Sequence, residues 1–148
     1  MRKDYYTIDP DIVKQVALLN VLGFKTYASC QGHGWPTDKI KPYFAFVCDL
    51  KDARNMDKIF QEDECSENPK LNWVWKLNAC FNNDLVLTWQ LRPTYSHKPL
   101  AKYLRSSYAN DFNTIYKLLR LTFDKGYWIK NIKMPQSSNN TSRNNSYD

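Results

Sequence analysis

Two runs of alternating large apolar residues dominate the middle of this chain. Trp73, Trp75, Leu77, Ala79 and Phe81 form the first, Leu85, Leu87, Trp89 and Leu91 the second, and Asn82-Asn83-Asp84 separates them. Alternation at period two puts one set of side chains on a single face of a strand. An Asn/Asp tract between two such runs is turn chemistry, so the segment is a β-hairpin with one aromatic face. A lone hairpin is marginal in water, so this face has to be covered by the rest of the chain. With 148 residues there is enough chain for one domain with a core of its own, and an aromatic fraction of 15% makes that core aromatic-rich.

The flanking sequence supplies the cover. Asp9-Pro10 reads as a helix start, with an N-cap and a proline at the first helical position. Ile12, Val13, Val16, Ala17 and Leu19 follow at helical spacing, and Gly23 ends the helix. Phe24 to Cys30 alternates as a strand, with Phe24, Thr26, Ala28 and Cys30 expected on one face. Tyr43 to Cys48 is apolar on both faces and therefore central. Asp49 caps a helix to about Gln61, with Ala53, Met56 and Phe60 inward. Beyond the hairpin, which Pro93 ends, Lys98 to Ser107 reads as a short helix with Leu100, Tyr103 and Leu104 on one side. Asn110 or Asp111 caps a firmer helix bearing Phe112, Ile115, Tyr116, Leu119 and Phe123, and Gly126 ends it. Tyr127 to Met134 is a last short strand or docking segment. The expected fold is α+β, in the order α-β-β-α-β-β-α, with a mainly antiparallel four-stranded sheet and helices packed on one face. Residues 1–135 form one domain, and 136–148, rich in Ser and Asn, form a disordered polar tail.

The motif with most chemical capacity is Ser29-Cys30-Gln31-Gly32-His33-Gly34, at the end of a strand and in the turn after it. Four readings of it stand side by side. Cys30 with His33 is a candidate nucleophile and base, with Asp38 or Asp49 as possible orienting acids. Cys30 and His33 also have the spacing of a zinc pair, but nothing marks further ligands, so no metal site and no cofactor is assigned. Ser29, Cys30, Gln31, Gly32, His33, Gly34, Trp35 and Tyr43 together form a candidate binding pocket, with Trp35 and Tyr43 as its walls. In the plain structural reading Cys30 packs as a small apolar residue and the glycines make the turn. The other cysteines, Cys48, Cys65 and Cys80, form no C-x-x-C pair, and Asn140-Thr141-Ser142 is read as a chance sequon.

The tract from Thr26 to Gly34, followed by Pro42-Tyr43-Phe44-Ala45-Phe46, resembles a pattern in small uncharacterised phage and prophage proteins. In those a strand ends in Ser-Cys-x-Gly-His and a Pro-Tyr strand follows. Trp75-Lys76-Leu77 and Leu87 to Leu91 are similar to their hairpin, and the likeness spans roughly residues 8 to 125. It implies a cytosolic accessory role, often interference with host defence such as CRISPR, and no particular chemistry. The Ser-Cys-x-Gly turn is also locally similar to the wybutosine-synthesis methyltransferase family. That family has arginine after the glycine where this chain has His33, so methyl transfer is not carried over.

Charge is unevenly placed. Residues 1–91 hold 11 basic and 12 acidic side chains, residues 92–148 hold 10 and 3. Arg92, Lys98, Lys102, Arg105, Lys117, Arg120 and Lys125 are a candidate basic patch, with tyrosines interleaved, for an anionic macromolecule. No apolar run approaches the roughly 20 residues of a membrane span, and no apolar stretch follows the basic start as a signal peptide requires. The expected location is the cytoplasm, that of the host for a phage protein. The leading expectation is an accessory protein that binds a host protein or ribonucleoprotein. An enzyme using Cys30 and His33 and a nucleic-acid-binding module are the alternatives.

Overall fold

The computed structural model describes residues 8–124. After a single 3-10 turn at Pro10–Ile12 come helix α1 (Val13–Val21), strands β1 (Lys25–Cys30) and β2 (Tyr43–Val47), and helix α2 (Leu50–Glu64). Strands β3 (Trp73–Phe81) and β4 (Leu87–Ser96) and helix α3 (Ser106–Leu119) follow, and a π-helical turn, Arg120–Asp124, continues α3. The fold is α+β, and its four-stranded sheet is antiparallel throughout, in the order β1-β2-β4-β3. Strand β2 is central and almost wholly buried, as its two-sided apolar content requires. Among the described residues no helix is long and apolar enough to cross a membrane. Lys125, the expected last strand at Tyr127–Met134, the domain boundary at 135 and the polar tail lie outside the described residues.

All three helices feed one core on one face of the sheet. Ile12, Val16 and Leu19 come from the first helical segment, Met56, Ile59 and Phe60 from α2, and Tyr108, Phe112, Ile115 and Leu119 from α3. They meet Phe44, Phe46, Trp73, Trp75 and Leu91 of the sheet. Helix α1 stops where Gly23 takes φ +96°. There Gly23 N–H donates to Asn20 and Phe24 N–H to Leu19, a Schellman closure that delivers Phe24 into the core. Its ring sits edge-on to Phe46 at 5.3 Å and to Phe123 at 5.0 Å.

The helix layer covers only part of the hairpin. Trp73, Trp75 and Leu91 are buried and Leu77 and Trp89 are partly so, whereas Ala79, Phe81, Leu85 and Leu87 reach solvent beyond the helices. Strand β4 does not end at Pro93; it runs to Ser96, with Pro93 buried opposite Trp75 and a register shift beside it. Leu85 belongs to the turn, not to the strand. The short helix expected over Lys98–Ser107 is a single 3-10 turn, Ala101–Tyr103. There Ala101 is the buried residue, and Leu100, Tyr103 and Leu104 are exposed.

Asp111 is the main departure from the sequence reading. It is not a cap: α3 starts five residues earlier, at Ser106, and Asp111 lies inside the helix, fully buried. Its spacing from Tyr108, Phe112 and Ile115 puts it on the apolar stripe facing β3. One carboxylate oxygen accepts from Asn72 N–H at 2.7 Å, and the other from Trp73 N–H and Trp75 Nε1–H, both at 2.9 Å. The same helix offers Ser107 Oγ to Trp73 Nε1–H at 2.9 Å, and Tyr108 stacks on the Trp73 ring at 4.7 Å. Helix α3 is thereby locked to the start of β3 by polar contacts inside the core.

Burial raises the Asp111 carboxyl to about 6, against the three donors and in particular the Trp75 indole, which favour the anion. The folded chain therefore takes up this proton before the unfolded chain does. The contribution of Asp111 to stability rises as pH falls through 6 and levels off below its ordinary 3.8. Asp111→Ala, which strips three buried donors of their acceptor, is expected to cost more than about 3 kcal/mol in denaturant unfolding. Trp75→Phe, which removes one donor and keeps most of the ring, should cost distinctly less, and Asp111→Asn should lack the wild-type gain in stability between pH 7 and 4.

Candidate functional site

The β1–β2 connection is shaped by three local devices. A register shift between Thr26 and Ala28 interrupts β1. It breaks the simple alternation expected for Phe24 to Cys30: Thr26 pairs with Phe46 on the core side, but Ala28 pairs with Ala45 and Cys30 with Tyr43 on the opposite face. Tyr27, at the shift, reaches across that face to donate from its hydroxyl to Thr88 Oγ1 at 3.0 Å. Next, Gly32 takes φ +85° in a buried position; a Cβ there would meet Ile40 O and Pro42 Cδ at 3.0 Å and the Arg105 guanidinium at 3.2 Å. Finally, His33 and Ile40 exchange both backbone hydrogen bonds, at 2.9 and 3.2 Å, which closes residues 34–39 into a tight lobe.

That lobe is held by the segment before α3. Arg105 Nη2 donates to Gly34 O at 2.6 Å, and Thr37 donates from N–H and hydroxyl to Lys102 O at 2.6 and 2.8 Å. Trp35 does not wall a pocket with Tyr43. It is 67% exposed and set against Tyr103, ring centroids 5.7 Å apart. Lys102 Nζ lies 5.2 Å from the Tyr103 ring. Two exposed aromatic rings and two cations thus share one end of the molecule.

On the sheet side of the loop, the carboxylate that stands beside His33 belongs to Asp9 rather than to Asp38 or Asp49. Its carboxylate makes no helix-capping bond. Oδ2 instead accepts Gln31 N–H at 2.9 Å and lies 3.6 Å from His33 Nε2. Gln31 returns the contact, its Oε1 accepting Asp11 N–H at 3.1 Å. Cys30 Sγ accepts Gly32 N–H at 3.3 Å. One ligating atom each from Asp9, Cys30 and His33 falls within 4.8 Å of the others. Tyr43 stands beside them: burial first, then the neighbouring Cys30 and Asp9, raise its phenol, while Arg92, 5.7 Å from its ring, works in the opposite direction.

The other proposed site residues are placed as follows. Cys30, Gln31, Gly32, His33 and Tyr43 converge; Ser29 pairs with Phe44 and turns to the core side. Gly34 and Trp35 belong to the lobe. The basic residues do not gather into one patch. Arg92 lies on the sheet face over Tyr43, Lys98 donates to Asn72 Oδ1 at 2.7 Å, and Lys102 and Arg105 flank the lobe. Lys117 and Arg120 sit at the far end of α3, about 18 Å or more along the helix axis from Arg105, where Arg120 and Lys14 both approach Tyr116. The face shared by Lys98, Lys102 and Arg105 does not exist, because the helix it assumed is absent.

The sequence does not mark Asp9 as a site residue, because its role at the helix N-cap masks the signal. Tyr103 is one of the tyrosines interleaved with the basic residues, but its pairing with Trp35 is not legible from the spacing, which suggested a helix there. No protein-family model, no curated protein and no solved structure matches this chain.

Gly32→Ala forces a Cβ into a left-handed residue with backbone and ring atoms at 3.0 Å. A loss of about 2 kcal/mol in thermal or denaturant unfolding is expected. Gly34→Ala, whose Cβ would meet only the flexible Lys39 side chain, should cost less.

Proposed function

We propose that this protein acts by binding the nucleic-acid strand of a ribonucleoprotein, in the accessory role that the phage-type resemblance implies. The single observation carrying this reading is the exposed Trp35–Tyr103 pair with Lys102 at its ring and Arg105 at its base. Unpaired bases stack on exposed aromatic rings, and adjacent cations take the phosphates. A protein core gains nothing from leaving two such rings in water. The rings are also held in place: Thr37 and Arg105 fasten the lobe to the backbone that carries Tyr103, so little ordering remains to be done on binding. Arg92 over Tyr43 extends the same chemistry onto the sheet face.

Anisotropy of a labelled single-stranded RNA measures this directly. Trp35→Ala is expected to weaken binding about tenfold or more, in line with one lost stacking contact. Lys102→Glu should weaken it and flatten its dependence on salt, with melting temperatures close to wild type because both side chains are exposed. Binding indifferent to salt and to Trp35→Ala overturns the nucleic-acid reading and leaves a host protein surface as the target.

A second reading, cysteine-dependent catalysis, is favoured by one observation: Asp9 provides His33 with the carboxylate that a Cys-His pair uses for orientation. Alkylation of the reduced chain tests it. Burial and the Asp52 and Asp49 carboxylates push the Cys48 thiol up to about 12, so Cys48 is expected to stay unmodified near pH 8 and serves as an internal reference. Cys30 should react faster than exposed Cys65 and should slow in His33→Gln. Equal rates at Cys30 and Cys65 remove the catalytic reading.

A further inference from the structure

We propose that Asp9, Cys30 and His33 form a binding site for a divalent transition-metal ion of the zinc type, with three protein ligands and one position open. The ligand atoms are already close to the required arrangement. Around a tetrahedral ion with bonds of 2.0–2.3 Å, ligand atoms stand about 3.3–3.8 Å apart. His33 Nε2 and Asp9 Oδ2 are 3.6 Å apart, and Cys30 Sγ completes a triangle whose sides are all within 4.8 Å. Closing it needs only small side-chain rotations. A thiolate, an imidazole and a single carboxylate select zinc-like ions over calcium or magnesium, which take oxygen ligands.

The surroundings hold two of these ligands in position. Gly32 N–H donates to the Cys30 sulfur at 3.3 Å, and Gln31 N–H donates to the ligating Asp9 oxygen at 2.9 Å. Backbone donors aimed at ligand atoms hold them in place. The ligands come from two separate segments, one ahead of α1 and one after β1. An ion would therefore clamp the start of the first helix onto the loop, reinforcing the seam that Gln31 and Asp11 already make. The His33 side chain is 53% exposed, so the fourth position faces solvent and is open to water or to a donor group from a bound partner. Binding replaces the thiol proton, which leaves to solvent, so affinity should rise with pH.

Cobalt(II) titration of the full chain, reduced and stripped with chelator, tests the site. One equivalent is expected to bind with a thiolate-to-cobalt charge-transfer band and the visible absorption of a four-coordinate ion, both abolished by added zinc. Cys30→Ser should lose the charge-transfer band. His33→Gln and Asp9→Asn should each weaken binding about tenfold or more. Because Cys30→Ser can disturb the strand end, the decisive variant is His33→Gln. Its half-exposed side chain makes the metal-free melting temperature insensitive to the change, and zinc should raise the melting temperature of wild type but not of His33→Gln. Absence of a thiolate band, or a band that survives both His33→Gln and Asp9→Asn at full strength, overturns the proposal. A band that survives Cys30→Ser places the ion on Cys48, Cys65 or Cys80 and overturns it as well.

Discussion

The buried Asp111 carboxylate is the contact around which the rest of the molecule is arranged. An anion inside an aromatic core is unfavourable unless donors surround it, and here the start of β3 supplies two backbone N–H groups and an indole N–H. The arrangement is directional in a way that apolar packing is not. It sets the rotation and height of α3 relative to β3, and so decides which of its residues face the sheet. Once α3 is placed, Tyr108 stacks on Trp73, Phe112 reaches Phe44 and Trp75, and Gln15 of α1 donates to Phe112 O at 3.0 Å. The first and last helices are thus coupled through a single registered element.

The same coupling positions the β1–β2 loop that carries the candidate site. Arg105 and Lys102 immediately precede α3, so the lock that fixes α3 also fixes the two groups that hold the β1–β2 lobe. On the other side of the loop, α1 is fixed by its own core contacts, which brings Asp9 onto Gln31 and His33. The candidate metal ligands and the aromatic lobe are therefore two ends of one loop, gripped from opposite sides by the chain before α1 and the chain before α3.

Much of the framework was legible because periodicity is a local property. The alternation from Trp73 to Leu91 defines the hairpin, the positive-φ glycine after Val21 and Leu22 ends α1, and the two-sided apolar run at Tyr43 marks a central strand. Boundaries were less legible where one residue type serves two roles. Asp111 and Asp9 both look like caps, because a short acidic side chain is good at capping. Asp111 does not cap at all but is drawn into the core by buried N–H donors, and Asp9 holds the N-cap position before Pro10 while its carboxylate is diverted to a loop 22 residues away. The helix assumed over Lys98–Ser107 failed because spacing alone does not say whether Leu100 and Leu104 have anything to pack against.

What the sequence determined by itself was the α+β class, the order of elements, the aromatic hairpin, and a tight glycine turn carrying Cys30 and His33 at the end of β1. Each of these depends on neighbours within a few residues, whose geometry is set by backbone dihedrals and side-chain alternation. Only the tertiary structure decided that Asp9 joins Cys30 and His33, that Trp35 meets Tyr103, and that the basic residues part into separate groups. Those pairings join positions 21 to 68 residues apart. They depend on strand register, on the shift at Tyr27 that turns Cys30 to the sheet's outer face, and on the buried Asp111 that sets α3. None of these is encoded in the spacing of the residues it brings together.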